Sequence, residues 1–150
     1  MLRDVRTLDR KIADLSGRIE AEVEASGTTL TEIFGIGPIL AARIIGTVGN
    51  VGRFPTKAHF ASYSGTAPLE VSSGDVVRHR LSLAGNRKLN YALHMVATCQ
   101  ARSATRGGTY YRKKIEEGKS RKEALRCLKR RVSDAVFRSL VAGSQAPLRS

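Results

Sequence analysis

The 150-residue chain contains no Trp, and aromatic residues make up only 5% of it, which excludes a broad stacking platform running along a single strand. Its two cysteines, Cys99 and Cys127, stand outside any CxxC spacing. Neither a disulfide framework nor a zinc site is expected, and a reducing compartment would keep both as thiols. No apolar run approaches the roughly 20 residues that span a bilayer, and the Met1 end is charged and periodic rather than signal-like. A soluble, intracellular protein without a membrane partner is the expectation. Acids are scarce as well: 13 Asp plus Glu face 26 Lys plus Arg, a net charge of +13. That imbalance excludes an ordinary acidic enzyme surface and points to a polyanionic partner.

The scarcity extends to the groups that usually carry chemistry. His59, His79 and His94 are widely spaced and lack HExxH-like companions, Asp75 stands alone, and Glu116-Glu117 lie at a helix edge. No metal site is expected within the chain. Gly35-Ile36-Gly37 does not continue as GxGxxG and no Walker loop occurs, which excludes nucleotide hydrolysis.

What the chain does have is segregated charge. Residues 1–52 hold six basic and seven acidic residues, a net of −1, whereas 53–150 hold twenty and six, a net of +14. Such a field attracts phosphates directly and through counterion release. Nucleic acid is the expected partner, held chiefly by the C-terminal part.

Hydrophobic residues at 41% suffice for one core. Leu8, Ile12, Leu15, Ile19 and Val23 recur every three or four residues, with Leu2 and Val5 extending the stripe, so residues 1–26 read as one long helix. Its narrow seam fits coiled-coil pairing and a homo-oligomer, or folding back on its own domain. After Gly27 the expectation is two short helices flanking Gly35-Ile36-Gly37, with Ile36 packed inward and Pro38 in the first turn of the second helix. Open amides at that helix start would bind an anionic oxygen. This register, with Ala41-Ala42 following, resembles the helix-hairpin-helix motif, which grips duplex phosphates without reading sequence.

A loop at 49–52 and a helix over 56–63 follow, and 69–81 fit two short strands, a small β-hairpin. Asn86 is expected to cap a helix running to about Ser103, stopped by Gly107-Gly108, with another over 110–117. Ser120-Arg121-Lys122-Glu123 reads as a capping box for a last helix with Leu125, Leu128, Val132, Val136 and Leu140 inside and Gly143 at its end. Arg121, Lys122, Arg126, Lys129, Arg130 and Arg138 are expected on its outer face. The fold class is therefore mainly α, divided as 1–26 helical or coiled-coil segment, 27–143 DNA-binding domain and 144–150 disordered tail.

Several of these elements together carry a resemblance. The Gly35-Ile36-Gly37-Pro38 turn, Arg53-Phe54, Tyr63-Ser64-Gly65-Thr66-Ala67-Pro68, Ser72-Ser73-Gly74 with Arg78 and Arg80, and Ser82-Leu83-Ala84-Gly85-Asn86-Arg87-Lys88 succeed one another. This succession looks like the C-terminal domain of the DEDD-type insertion-sequence transposases, over about 30–140. Those enzymes pair a RuvC-like nuclease domain with a serine-bearing domain and use a bridge RNA. The resemblance implies a bacterial, nucleoid-associated location and a coiled-coil segment ahead of the domain. It also implies that a serine before Gly74, Ser73 with Ser72 as the fallback, attacks a DNA phosphodiester and becomes linked to the strand. The divalent metal, magnesium, would sit on the carboxylates of the RuvC-like domain, which these residues do not include. A serine hydroxyl needs such activation, and Arg78 and Arg80 would stabilise charge developing on the phosphate. The sequence departs from the family at Ser82-Leu83-Ala84-Gly85-Asn86, usually more basic, and at Asn90, where arginine is common.

The expected function is DNA strand transfer in transposition and recombination, with Gly35, Gly37, Arg43, Arg78, Arg80, Arg87, Lys88, Arg126, Lys129 and Arg130 contacting DNA. Expected partners are duplex DNA, a guide RNA and the RuvC-like nuclease domain, and the chain alone would be inactive. The alternative is a non-catalytic helix-hairpin-helix module that only binds DNA. A basic RNA-binding protein is a third reading.

Overall fold

A computed structural model of the chain describes residues 1–67 and 86–145. The described residues are mainly helical: α1 (Leu2–Ser26), α2 (Pro38–Val48), α3 (Lys57–Tyr63), α4 (Arg87–Ala101), α5 (Arg106–Glu116) and α6 (Arg121–Gln145). The strand pair expected at 69–81 lies outside the described residues, as do Ser72, Ser73, Arg78, Arg80 and the tail from 146.

The stripe of α1 propagates until Gly27, whose φ of 69° makes a left-handed cap and returns its N–H to the carbonyl of Glu24, a conformation glycine adopts without strain. Only the last third of the stripe folds back. Val23 is buried and Ile19 partly so, where α1 packs on α2, while Leu2, Val5, Leu8, Ile12 and Leu15 are each more than half exposed.

In place of the first short helix, Leu30–Glu32 forms a single 3₁₀ turn. Ile33 is already extended (φ −77°, ψ 123°), and between the glycines at 27 and 35 there is no room for a second turn. Leu30 is nonetheless fully buried, and Thr29 Oγ1 pairs with Ser139 Oγ of α6 at 2.7 Å, so the turn is fixed by tertiary contact. A second 3₁₀ turn at Val51–Arg53 fills the expected loop, with Asn50 Oδ1 accepting from the Gly52 N–H. Thr56 caps α3 by accepting from the His59 N–H.

Helix α6 is the spine, packed against α3, α4, α5 and both 3₁₀ turns. It starts on the expected capping box: Ser120 Oγ accepts from the Glu123 N–H, and Glu123 Oε2 from the Ser120 N–H, both at 3.2 Å. Its core face is Ala124, Leu128, Val132, Ser133, Val136 and Ser139, with Leu125 and Leu140 only partly buried at its margins. The buried serines replace apolar residues where hydroxyls meet: Ser133 lies 3.4 Å from Ser64 Oγ, itself 3.0 Å from Thr66 Oγ1. Phe60, fully buried, stacks on Phe137 of α6 and edges onto Phe54, both at 5.4 Å; burying such a ring contributes about 1.5–3 kcal/mol.

Three boundaries differ from the sequence reading. Helix α4 stops at Ala101, and Gly107-Gly108 lie inside the first turn of α5 rather than terminating α4. The reason is steric: a methyl group on Gly108 would collide with the Ser103 carbonyl oxygen and stand 2.8 Å from that of Gln100, and one on Gly107 would strike the Gln100 side chain. These glycines let the two helices meet at a sharp corner. Helix α6 continues through Gly143 to Gln145, so the first residues of the expected tail are helical.

Candidate nucleic-acid interface

The glycine turn presents the start of α2. Gly35 takes φ 96°, and a methyl group there would meet Cys99 Cβ and Val96 at 3.5 Å, so the turn lies flat on α4. Ile36 is buried, as expected, and its N–H returns to the Ile33 carbonyl. Gly37 then occupies the N-cap in extended geometry, φ −88° and ψ 178°, and nothing lies within 4 Å of the point a methyl group on it would occupy. Pro38 at the first position removes one donor, and helix geometry leaves the amides of Ile39 and Leu40 without intrahelical partners. Gly37, Ile39 and Arg43 are all exposed. The arrangement suits an anionic oxygen, because bare N–H groups and the helix dipole act in the same direction.

A second cluster sits at the other end of α4, about 13 Å along the helix at ~1.5 Å per residue. Lys129 of α6 donates from Nζ to Asn90 Oδ1 at 3.1 Å. Half-burial pushes the Lys129 ammonium below the ordinary lysine value, and nearby Arg126 pushes it the same way. Asn90 also closes over the link after α3: Gly65 takes φ 75°, and a methyl group on it would collide with Asn90 Nδ2. The residues flanking 68–85 are thereby held side by side, beside Lys129. Arg87, Asn90, Tyr91 and His94 line one open concavity of about 390 Å³.

The expected DNA contacts thus divide. Gly35 and Gly37 form the turn, with Arg43 exposed farther along α2, and Arg87, Arg126 and Lys129 gather around Asn90. Lys88 is exposed at the start of α4. Lys129 and Arg130 do not stand on an outer face: both are partly buried, and Arg130 pairs with Asp134 at 3.2 Å, which diverts its charge. Sequence reasoning missed Arg131, whose guanidinium lies 4.3 Å over the Tyr110 ring, and gave no role to Arg53 beyond the Arg53-Phe54 motif, although its guanidinium sits over Phe54 and Tyr63 at 4.8 and 4.6 Å. It also missed Tyr91 and His94, although the 87, 90, 91, 94 spacing marks one helical face. Among the described residues no group of three His, Cys, Asp or Glu could hold a metal ion, and no helix is long and apolar enough to cross a membrane.

The profile described as Transposase IS116/IS110/IS902 family matches residues 27–112. The chain is 35% identical over 133 residues to a Streptomyces coelicolor protein described as an insertion element IS110 uncharacterized 43.6 kDa protein, covering 87% of this chain and 33% of that one. An insertion element IS116 uncharacterized 44.8 kDa protein of Streptomyces clavuligerus is 27% identical over 136 residues, covering 89% and 34%. A probable family 20 transposase of Pseudomonas aeruginosa is 34% identical over 73 residues, covering 47% and 22%. The chain spans about a third of the length of the first two relatives. No solved structure matches it.

Proposed function

Because the chain belongs to the Transposase IS116/IS110/IS902 family, we propose that it is the DNA-gripping and strand-transfer region of an insertion-sequence transposase, acting in DNA transposition and recombination. The observation that carries the reading is the start of α2, where Gly37, Ile39 and Arg43 are exposed and open space surrounds the N-cap, so that the first-turn amides lack intrahelical partners. This is what a helix-hairpin-helix grip on a duplex phosphate requires. The net charge of +14 over residues 53–150 supplies the sequence-independent attraction.

In this reading Ser73, with Ser72 as the fallback, is the nucleophile. Its Oγ forms a bond to phosphorus, the bond from phosphorus to one deoxyribose oxygen breaks, and that oxygen leaves as a hydroxyl with the proton the serine gives up. Arg78 and Arg80 offset the charge that develops on the phosphate. Among the described residues no group of acids could hold the divalent metal; the RuvC-like domain would hold it. The exposed first two thirds of the α1 stripe support homo-oligomerisation, and a guide RNA is a further partner. The protein would act in the bacterial cytoplasm at the nucleoid.

The test has two stages. Binding to a generic duplex across a salt series, with a structured RNA of equal length alongside, should give log affinity falling linearly with log salt. Failure to bind duplex at low salt would overturn the grip, and preference for the RNA would promote an RNA-binding reading. With the RuvC-like domain and metal supplied, an SDS-resistant protein–DNA adduct is expected, and its persistence in the Ser72→Ala, Ser73→Ala double variant would remove the nucleophile assignment. Duplex binding without any adduct would favour the alternative, a non-catalytic binding module, which the grip at Gly37 supports equally well.

A further inference from the structure

We propose that the face of α4 formed by Arg87, Tyr91 and His94, together with the Lys129–Asn90 pair, is a site for one unpaired nucleotide. The base would stack on Tyr91 and its phosphate would lie between Arg87 and Lys129. This site is separate from the amides of α2, and it rests on the proposed function only in taking nucleic acid as the partner.

Tyr91 supplies the first reason. Its ring is 59% exposed, and Met95, one turn on, is 45% exposed; an amphipathic tyrosine ring is a residue type enriched where a partner binds. Neither ring nor thioether is needed by the core, which α4 builds from Leu89, Ala92, Leu93, Val96 and Ala97. A flat apolar ring bordered by cations is the chemistry of base stacking with phosphate pairing. Arg87 and His94 lie one turn to either side of Tyr91 on the same open helix face.

Lys129 supplies the second reason. Helix α6 holds its ammonium half-buried against Asn90, with Arg126 nearby raising the positive potential. The described partner of that ammonium is a neutral amide, not a carboxylate, so its charge remains available to an anion. A phosphate arriving there would relieve a cost already present in the fold. Asn90 is fixed on the other side by Gly65, so the amide that holds the ammonium is itself held in place.

The position adds a third. The exposed residues Tyr91, Met95 and Cys99 follow one another at four-residue intervals, and Cys99 touches the Gly35 turn. A continuous surface therefore joins the stacking ring to the start of α2. A duplex gripped at α2 would reach Tyr91 with a nucleotide at a strand end, bulge or junction, whereas a fully paired duplex keeps its bases inside the stack.

The probe is a duplex bearing one bulged 2-aminopurine, compared with the same duplex fully paired, against the wild-type chain and the Tyr91→Ala and Tyr91→Phe variants. Wild type and Tyr91→Phe should bind the bulged duplex roughly 5- to 150-fold more tightly than the paired one, the range that stacking on one aromatic side chain covers, and should quench the probe. Tyr91→Ala should lose the preference and the quenching while keeping its paired-duplex affinity. Equal affinities for the two duplexes in the wild type, or an undiminished preference in Tyr91→Ala, would overturn the proposal. Loss of paired-duplex binding in the wild type, with the bulged duplex still bound and quenched, would instead refute the α2 grip and leave this site standing. Urea unfolding of both variants checks that the fold is intact, since Tyr91 lies outside the core.

Discussion

Replacing Gly37 by leucine separates binding from folding. The φ of −88° and ψ of 178° at Gly37 suit any residue, and nothing lies within 4 Å of the position a Cβ would take. Leucine is a poorer N-cap than glycine by roughly 0.5–1 kcal/mol, and removing the flexibility of glycine from the unfolded chain returns about 0.4–1 kcal/mol. The net change in stability should therefore stay within about 0.5 kcal/mol. The leucine side chain would stand over the bare amides of Ile39 and Leu40. A hydrogen bond to a charged group is worth about 1.5–3 kcal/mol, so loss of even one should weaken duplex binding roughly tenfold or more at fixed salt. Gly35→Leu provides the contrast. Its φ of 96° and the 3.5 Å approach to Cys99 and Val96 impose left-handed strain of about 1–2 kcal/mol before any crowding, so it should lose stability and binding together. The assays are urea unfolding and fluorescence anisotropy on one duplex. A Gly37→Leu chain that folds normally and binds duplex like the wild type would refute the amide grip. One that loses more than about 2 kcal/mol would refute the open space assigned to this position.

The packing sets further outcomes. Lys129→Met should keep or raise stability at neutral pH, because it removes a half-buried charge, while reducing the log-log salt slope of duplex binding by about 1. The pH dependence has a definite sign: the folded-state value of Lys129 lies below the ordinary 10.5, so between the two the unfolded chain binds more protons and stability rises with pH. Urea unfolding at alkaline pH should show that rise in the wild type and its absence in Lys129→Met. Gly108→Ala should destabilise by about 2 kcal/mol, since overpacking against a fixed carbonyl outweighs the gain of about 1 kcal/mol from helix propensity. Gly143→Ala, in open helical surroundings, should stabilise by about 0.5–1 kcal/mol; thermal unfolding compares the two signs. Ser120→Ala should cost about 1 kcal/mol by opening the capping box at α6, read as a fall in Tm.

The helices were legible in the sequence because their signals are local. A three-four apolar spacing followed by Gly27 bounded α1, Ser120 announced the start of α6, and Ile36 between two glycines announced an inward residue on a tight turn. These patterns depend on the geometry of a few neighbouring residues, so no distant contact is needed to read them. The segregation of charge and the succession of motifs that carried the family resemblance were likewise written in order along the chain.

Tertiary structure decided what each side chain faces. Periodicity placed Lys129 on an outer face, but α4 packs alongside and brings Asn90, 39 residues away, onto its ammonium. The same periodicity puts Arg130 on the outer face as a DNA contact, whereas the structure pairs it with Asp134. Gly107-Gly108 have the composition of a helix stop, yet the collision a methyl group would make with Ser103 shows that they permit two helices to meet. The α1 stripe is uniform in sequence, and only contact with α2 determines that Val23 is buried while Leu8 is exposed. Burial, desolvation and close approach arise between elements distant in the chain, so a one-dimensional pattern specifies the helix but not the neighbours that give its residues their chemistry.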